Sequence, residues 1–267
     1  MKSINQLMDL TGRTALITGG AGHIGTAFCE ALAEVGANIA VLDIDTDRVQ
    51  DTASKLAKTY SVKTMGLTVN LSDEAAVVAA PAQVKDELGS LDIVVNCAAF
   101  VGTSGLPGWV TPFEEQSVDT WRAALETNLT ACFALIQAAT PYLRESGHGS
   151  IINIGSTYGV VGPDMSLYEG TAMGNPAAYA ASKGGLTQLT RWLATTLAPD
   201  VRVNCISPGG IARGQDEKFV KRYKERTPMK RMGTEEDMKG ALLYLASDLS
   251  AYVTGQNIMV DGGWTAW

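Results

Sequence analysis

Short apolar runs alternate along the whole chain with segments whose apolar residues recur every three to four positions. The runs are "TALIT" (14–18), "NIAVLD" (38–43), "KTMGLTV" (63–69), "LDIVVN" (91–96), "SIINIG" (150–155), "VRVNCI" (201–206) and "NIMV" (257–260). Several are almost continuously apolar, which predicts strands covered on both faces. In the first intervening segment Ile24, Ala27, Phe28, Ala31, Leu32 and Val35 form one helical stripe, and Gly36 follows as a stop signal. Strict alternation of this kind predicts crossovers onto a parallel sheet with helices on both faces. No linker-like stretch or internal repeat interrupts it, so residues 1–267 are expected to form a single domain.

Composition narrows the functions open to such a fold. Hydrophobic residues make up 46% and charged residues 18%, with a net charge of −7. That balance excludes a sequence-independent grip on nucleic acid, which needs a basic face. The opening "MKSINQLMDLTGR" lacks a signal-like apolar core. No window approaches the roughly 18 uninterrupted apolar residues of a membrane helix. Cys29, Cys97, Cys132 and Cys205 are scattered without ligand spacing and read as reduced, mostly buried thiols. His23 and His148 are the only histidines, too few for a histidine-based metal site. A cytoplasmic protein that works without a metal and away from membranes is expected.

The stretch "TALITGGAGHIG" runs from a strand through a glycine turn into a helix. In that context the backbone can approach a pyrophosphate and the helix N-terminus can receive it. Two registers coexist: G-x-G-x-x-G over Gly20, Gly22 and Gly25, and T-G-x-x-x-G-x-G from Thr18 and Gly19 with His23 in place of the middle glycine. The second strand ends at Asp43, eighteen residues after Gly25. A carboxylate there accepts from ribose hydroxyls and repels a 2′-phosphate, and no Lys or Arg lies between residues 14 and 47. NAD rather than NADP is the expected cofactor.

Further on, "YAASK" sets Tyr179 and Lys183 four apart on one face of a helix that starts near Asn175 and Pro176. A phenol with a free pKa of about 10 is a poor base at neutral pH, and a neighbouring ammonium favours its phenolate. Such a tyrosine can exchange a proton with an alcohol or ketone. Ser156 follows "SIINIG" at a strand's carboxyl end, Asn128 lies in "ETNLTACF", and "NCAA" (96–99) and "SPGGI" (207–211) close two further strands.

In this order, and with "YVTGQNIMVDGG" near the C-terminus, these segments resemble the classical short-chain dehydrogenase/reductase family over essentially the whole chain. The resemblance implies an α/β, single-domain Rossmann fold with a seven-stranded parallel sheet, assembled as a homotetramer or homodimer. It implies a catalytic tetrad: Tyr179 as acid/base, Lys183 favouring the phenolate and holding the nicotinamide ribose, Ser156 on the substrate oxygen, and Asn128 steadying a relay water. Cofactor contacts are expected from Gly19, Gly22, His23, Ile24, Gly25, Asp43, Ile44, Asn70, Leu71, Asn96, Ala98, Pro208, Gly209 and Ile211, besides Tyr179 and Lys183. Two departures stand out: His23 for the family's middle glycine, expected to point away from the pyrophosphate or touch its edge, and "NCAA" for N-N-A-G, which adds a methyl at Ala99.

Ser156 and Tyr179 are 23 residues apart, about ten more than is usual in the family, so "PDMSLYEGTAMGNP" (163–176) reads as an insert pinned at both ends to the site. Tyr168, Glu169, Thr171 and Asn175 are its candidate partners for substrate hydroxyls. "YEGTAMGNPAAYAASK" is similar to a subgroup tied to bacterial surface-sugar and flagellin-glycan biosynthesis, which suggests a sugar derivative. The lid segment Arg213–Arg231 carries eight basic and three acidic residues, which either attract an anionic substrate or form a solvated helix face. "SGLPGW" (104–109) brings Trp109 towards the same cleft, to stack on a sugar ring or to pack. Trp264 and Trp267 are expected at a subunit contact or under a neighbouring loop. The expected activity is NAD-dependent interconversion of a secondary alcohol and a ketone on a polar hydroxylated small molecule. The rivals are an epimerase or dehydratase using NAD transiently, and a non-catalytic NAD-binding regulator.

Overall fold

The computed structural model describes residues 1–100 and 105–267. Its elements are α1 (Ile4–Met8), β1 (Thr14–Thr18), α2 (His23–Glu34), β2 (Asn38–Asp43), α3 (Thr46–Tyr60), β3 (Thr64–Thr68), α4 (Glu74–Leu88), β4 (Ile93–Asn96), α5 (Val118–Leu125), α6 (Ala131–Ser146), β5 (Gly149–Ile154), α7 (Ala177–Leu197), β6 (Val201–Pro208), α8 (Glu217–Arg226), α9 (Glu236–Ala246) and β7 (Asn257–Val260). The strands form one seven-stranded sheet in the order β3-β2-β1-β4-β5-β6-β7, every pair parallel.

The continuous apolar runs become strands because each face of the sheet is covered. Alternate residues point to opposite sides. Ile17, Val41 and Val95 enter one core with Phe28 and Leu32 of α2 and Leu242 of α9. Leu16, Leu42 and Val94 enter the other with Val84 of α4, Leu135 of α6 and Leu193 of α7. The stripe read on α2 faces the first core, and Gly36 ends that helix at φ +95°, with Ala37 N–H closing onto the Leu32 carbonyl.

The ends of β3 and β5 shift by one residue from the expectation, and two other ends shift by two. β4 begins at Ile93 rather than 91, because Asp92 turns its carboxylate onto the Thr14 N–H and the Ser90 hydroxyl. β6 runs on to Pro208, which pairs with Val260 at the sheet edge. Proline is tolerated there because its missing N–H costs no ladder bond.

Strand order reverses between β1 and β4, which opens a crevice at their carboxyl ends. Among the described residues, no helix is long and apolar enough to cross a membrane, and no group of three His, Cys, Asp or Glu could hold a metal.

Burial pushes every thiol up: Cys97 to about 12, Cys132 to about 11, and Cys29 and Cys205 also upward. Raised values keep the unreactive thiol form at mildly alkaline pH. Ellman's reagent is therefore expected to titrate the folded protein slowly, Cys97 first because it alone is only half-buried. All four should react once guanidinium unfolds the chain; a thiol that reacts at once in the folded protein would contradict this burial.

Candidate active site

The crevice is floored by the glycine turn. Gly19 has φ +66°, and a Cβ on it would stand 2.8 Å from the Ala98 Cα. A Cβ on Gly25 would lie 1.9 Å from the Gly19 carbonyl oxygen, so α2 reaches its position only with glycine there. Gly22 caps α2 without a side-chain bond, which leaves the first-turn N–H groups and the positive end of the helix dipole facing outward. His23 is exposed at the first helical position, and half-buried Ile24 packs on the core behind it. These features fit a pyrophosphate and need no side chain to hold it.

Asp43 ends β2 beside this turn. Its carboxylate accepts from the Ala21 N–H at 3.2 Å and the Ile44 N–H at 2.8 Å. Ile44 itself is exposed. Beyond β3, the exposed Asn70 accepts from the Ser72 N–H through its side chain, and half-buried Leu71 packs on the second core. Asn96 donates to Asn153 at 2.8 Å, and its own Oδ1 is buried with no partner among the described residues. The Cys97 and Ala98 N–H groups both donate to the Thr18 hydroxyl. Buried Pro208 closes β6, the Gly209 N–H donates to the Val260 carbonyl, and Ile211 bridges to Gly233.

On the other side of the crevice stands α7. Lys183 is 2% exposed, and its Nζ donates to the Ile154 carbonyl at 2.7 Å and lies 6.0 Å from the centre of the Tyr179 ring. Ser156, two residues beyond Ile154, accepts the Tyr158 N–H at 3.2 Å and caps the short 3-10 turn Thr157–Gly159. That turn presses onto α7 so tightly that a Cβ on Gly159 would stand 2.7 Å from the Lys183 backbone. Ser156, Tyr179 and Lys183 are thereby gathered at the carboxyl end of β5.

Asn128 sits on a π-helical turn, Glu126–Thr130, between α5 and α6. Its amide is fully engaged: Oδ1 accepts the Phe100 N–H at 2.7 Å, and Nδ2 donates to the Phe100 carbonyl and to the Ser182 hydroxyl at 3.1 Å. The Ser182 hydroxyl in turn donates to the Tyr179 carbonyl. The side chain thus ties the segment after β4 to α7 beside Lys183, with both amide N–H groups in use.

The insert and the lid lock together. Tyr168 and Leu167 are buried against Phe219 and Tyr223 of α8, and Trp264 stacks on Tyr223 at 4.6 Å between ring centres. Lys218 donates to the Gly170 carbonyl, Arg222 to the Leu167 and Glu169 carbonyls, and Arg226 pairs with Asp164. Arg213 pairs with Glu235, Arg231 with Asp237, and Lys230 holds the Glu225 carbonyl. Six of the eight lid cations are engaged in these contacts; Lys221 and Lys224 are exposed. Three of the six donate only to neutral carbonyls, so the lid keeps a positive charge, and Trp264 packs under the lid against Tyr223. Trp267 is 73% exposed.

Of the four hydroxyl-binding candidates, Tyr168 and Thr171 have side chains committed elsewhere. The Tyr168 hydroxyl donates to that of Tyr158 at 3.0 Å. Thr171 shapes its own turn by donating to the Tyr168 carbonyl and accepting the Met173 N–H. The Glu169 side chain is exposed, while its carbonyl is held by Arg222. Asn175 alone keeps a buried oxygen without a partner among the described residues. Trp109 is 2% exposed and packs with Ala124, Ala178 and Tyr179, so it is a wall rather than a stacking platform. Ser104, the first residue of "SGLPGW", lies outside the described residues.

Three participants escaped the sequence reading. Arg48 of α3, one residue beyond the stretch noted as free of bases, donates to the Ala21 carbonyl beside Asp43. Tyr158 carried no spacing signal except its place two residues after Ser156. Tyr223 accepts the Gly210 N–H at 2.5 Å and so holds the turn after β6. Burial pushes the Tyr158 and Tyr168 phenols up and that of Tyr223 to about 12, so all three act as neutral hydrogen-bonding groups.

The profile of a family described as enoyl-(acyl carrier protein) reductase matches residues 19–265. The chain is 32% identical over 266 residues to sorbose reductase sou1 of Schizosaccharomyces pombe, covering 98% of this chain and 99% of that one. Among solved structures it is similar to a gluconate 5-dehydrogenase from Burkholderia cenocepacia in complex with NADP and tartrate, at 29% identity and TM-score 0.88, covering 99% and 100% of the two chains. It is also similar to an NAD+-bound xylitol dehydrogenase, at 27% identity and TM-score 0.84, covering 95% and 99%.

Arg222→Ala removes two carbonyl contacts from the insert. Partly exposed charge-assisted bonds of this kind are worth about 1 kcal/mol together, or roughly fivefold in local opening. Chymotryptic cleavage after Tyr168 should therefore speed up about fivefold, while Lys221→Ala leaves it unchanged. Equal rates in the two variants would mean that the insert is held by its aromatic contacts alone.

Proposed function

The chain belongs to the classical short-chain dehydrogenase/reductase family, and we propose that it interconverts a secondary alcohol and a ketone on a polar hydroxylated small molecule, a sugar derivative foremost, using NAD. The observation that carries this reading is the convergence of Tyr179, Lys183 and Ser156 on the carboxyl end of β5.

A bound nicotinamide dinucleotide supplies the hydride acceptor or donor. The glycine turn and the N-terminus of α2 would hold its pyrophosphate, and Asp43 would accept from the adenosine ribose through its remaining lone pairs. Ser156 takes the Tyr158 N–H on its oxygen and keeps its own proton for the substrate oxygen. Tyr179 gives a proton to that oxygen in reduction and takes it back in oxidation. Lys183 uses one N–H on Ile154 and has two more for a ribose hydroxyl and a water, and its positive charge favours the phenolate. Asn128 acts as a positioning residue, fixing α7 at Ser182.

Support for a sugar-like substrate comes from relatives named for sorbose, xylitol and gluconate. Asp43 supports NAD, since a second negative charge beside it would be repelled. Arg48, next to the same turn, supports a secondary acceptance of NADP, the cofactor of the gluconate 5-dehydrogenase complex. Trp121 of α5, Phe133 of α6 and Trp192 of α7 are 37%, 45% and 58% exposed, which supports a homodimer or homotetramer built on these helices. A single catalytic domain over residues 1–267, working in the cytoplasm, completes the reading.

A turnover screen with NAD and NADP over sugars, polyols and hydroxy acids, followed by absorbance of the reduced cofactor, tests it directly. Tyr179→Phe should lower kcat by about 10²–10⁴-fold with NADH affinity unchanged, as loss of a general acid does; a variant that keeps its activity would refute the mechanism. Asp43→Ala should shift the NAD to NADP ratio of kcat/KM by about tenfold or more towards NADP, the loss of one charge-assisted bond. An unchanged ratio would remove Asp43 from cofactor choice.

A further inference from the structure

A cavity of about 720 Å³ opens between the insert and the segment that leads into α5. Trp109, Val110 and Pro112 form one wall, and Met165, Met173 and Pro176 the other. Its floor is Ala177 and Ala180 on the first turn of α7, next to Tyr179. Trp109 and Val110 belong both to this wall and to the cluster that packs on Tyr179, so the cavity shares a partition with the catalytic cleft. Gln116 braces the walls by accepting the Ala177 N–H at 3.1 Å.

The chemistry of the lining is selective. No Asp, Glu, Lys, Arg or His is among the described residues that line it, so a charged group would enter without a counter-charge. Two of its polar side chains, Thr111 and Asn175, carry buried oxygens with no hydrogen-bond partner among the described residues. An orphaned acceptor of this kind is costly unless a ligand or water supplies a donor. Size and lining match a small-molecule site: mostly apolar, with a few polar groups that fix orientation.

We propose that this cavity is a second subsite, which takes an uncharged apolar ring or short chain bearing one hydroxyl, attached to the hydroxylated head that the catalytic groups act on. The proposal rests on the reading of the head as substrate, but binding tests it independently of turnover. The probes are methyl, benzyl and para-hydroxybenzyl glucosides, titrated by calorimetry against the intact protein with NADH present, with turnover of each followed in parallel.

Affinity should rise about tenfold from methyl to benzyl and again several-fold to para-hydroxybenzyl. Ala172→Trp, which puts an indole at the cavity lining, should shrink the first step, and Asn175→Leu only the second. Lys221→Ala should change neither. A flat series in the unaltered protein, or an Ala172→Trp effect equal on all three probes, overturns the subsite even if sugars are turned over. A graded series without turnover leaves the subsite standing and removes the oxidoreductase reading of the head.

Discussion

A buried ammonium holds the site together. Lys183 is almost fully enclosed, and its one described acceptor is the carbonyl of Ile154 at 2.7 Å. Burying a charge costs several kcal/mol unless its donors are matched, so the geometry around this contact is tightly constrained. The last residue of β5 must lie under the second turn of α7, and the chain must then turn at once through Ser156. Gly159 makes that possible, because any side chain there would strike the Lys183 backbone. Ser156 thus owes its position to the same approach that seats the lysine. Asn128 completes the frame by tying Ser182, the neighbour of Lys183, to the segment after β4.

Around this rigid centre the insert and the lid form one body. Their union is both aromatic and ionic, from Tyr168 through Phe219 and Tyr223 to Trp264, with three lid cations gripping the insert. Tyr223 connects this body to the cofactor crevice by accepting the Gly210 N–H. The insert, α8 and the turn after β6 are thus joined through one side chain. Part of the charge that makes the lid conspicuous in the sequence serves this closure, through Lys218, Arg222 and Arg226.

The fold was legible because its signals are local. Apolar runs mark strands buried on both faces, and the stripe on α2 with Gly36 behind it marks a helix and its end. The glycine turn and the Tyr179–Lys183 pair were legible for the same reason, since strand, turn and helix are read from spacing alone. What stayed hidden depends on partners far along the chain. Asn128 was identifiable, but the direction of its amide is set by Phe100 and Ser182, which lie 28 and 54 residues away. Arg48 reaches the glycine turn only because α3 packs beside α2, a placement that no spacing rule encodes. The lid cations could be counted, yet whether each faces solvent or a carbonyl is decided by the insert folding against α8.

The insert also explains how an acidic chain with a basic lid can present an uncharged binding wall. Two of its polar side chains are engaged locally: Thr171 bonds to its own turn, and Tyr168 pairs with Tyr158. On the outer side Asp164 pairs with Arg226 of α8. The inner side facing residues 109–116 keeps methionine, proline and alanine, with the Asn175 oxygen left unpaired. Loop closure entropy grows only slowly with length, so roughly ten added residues cost little. They separate two environments on either side of Tyr179: the hydrogen-bonding crevice at the carboxyl end of β5, and a cavity wall of mostly apolar side chains.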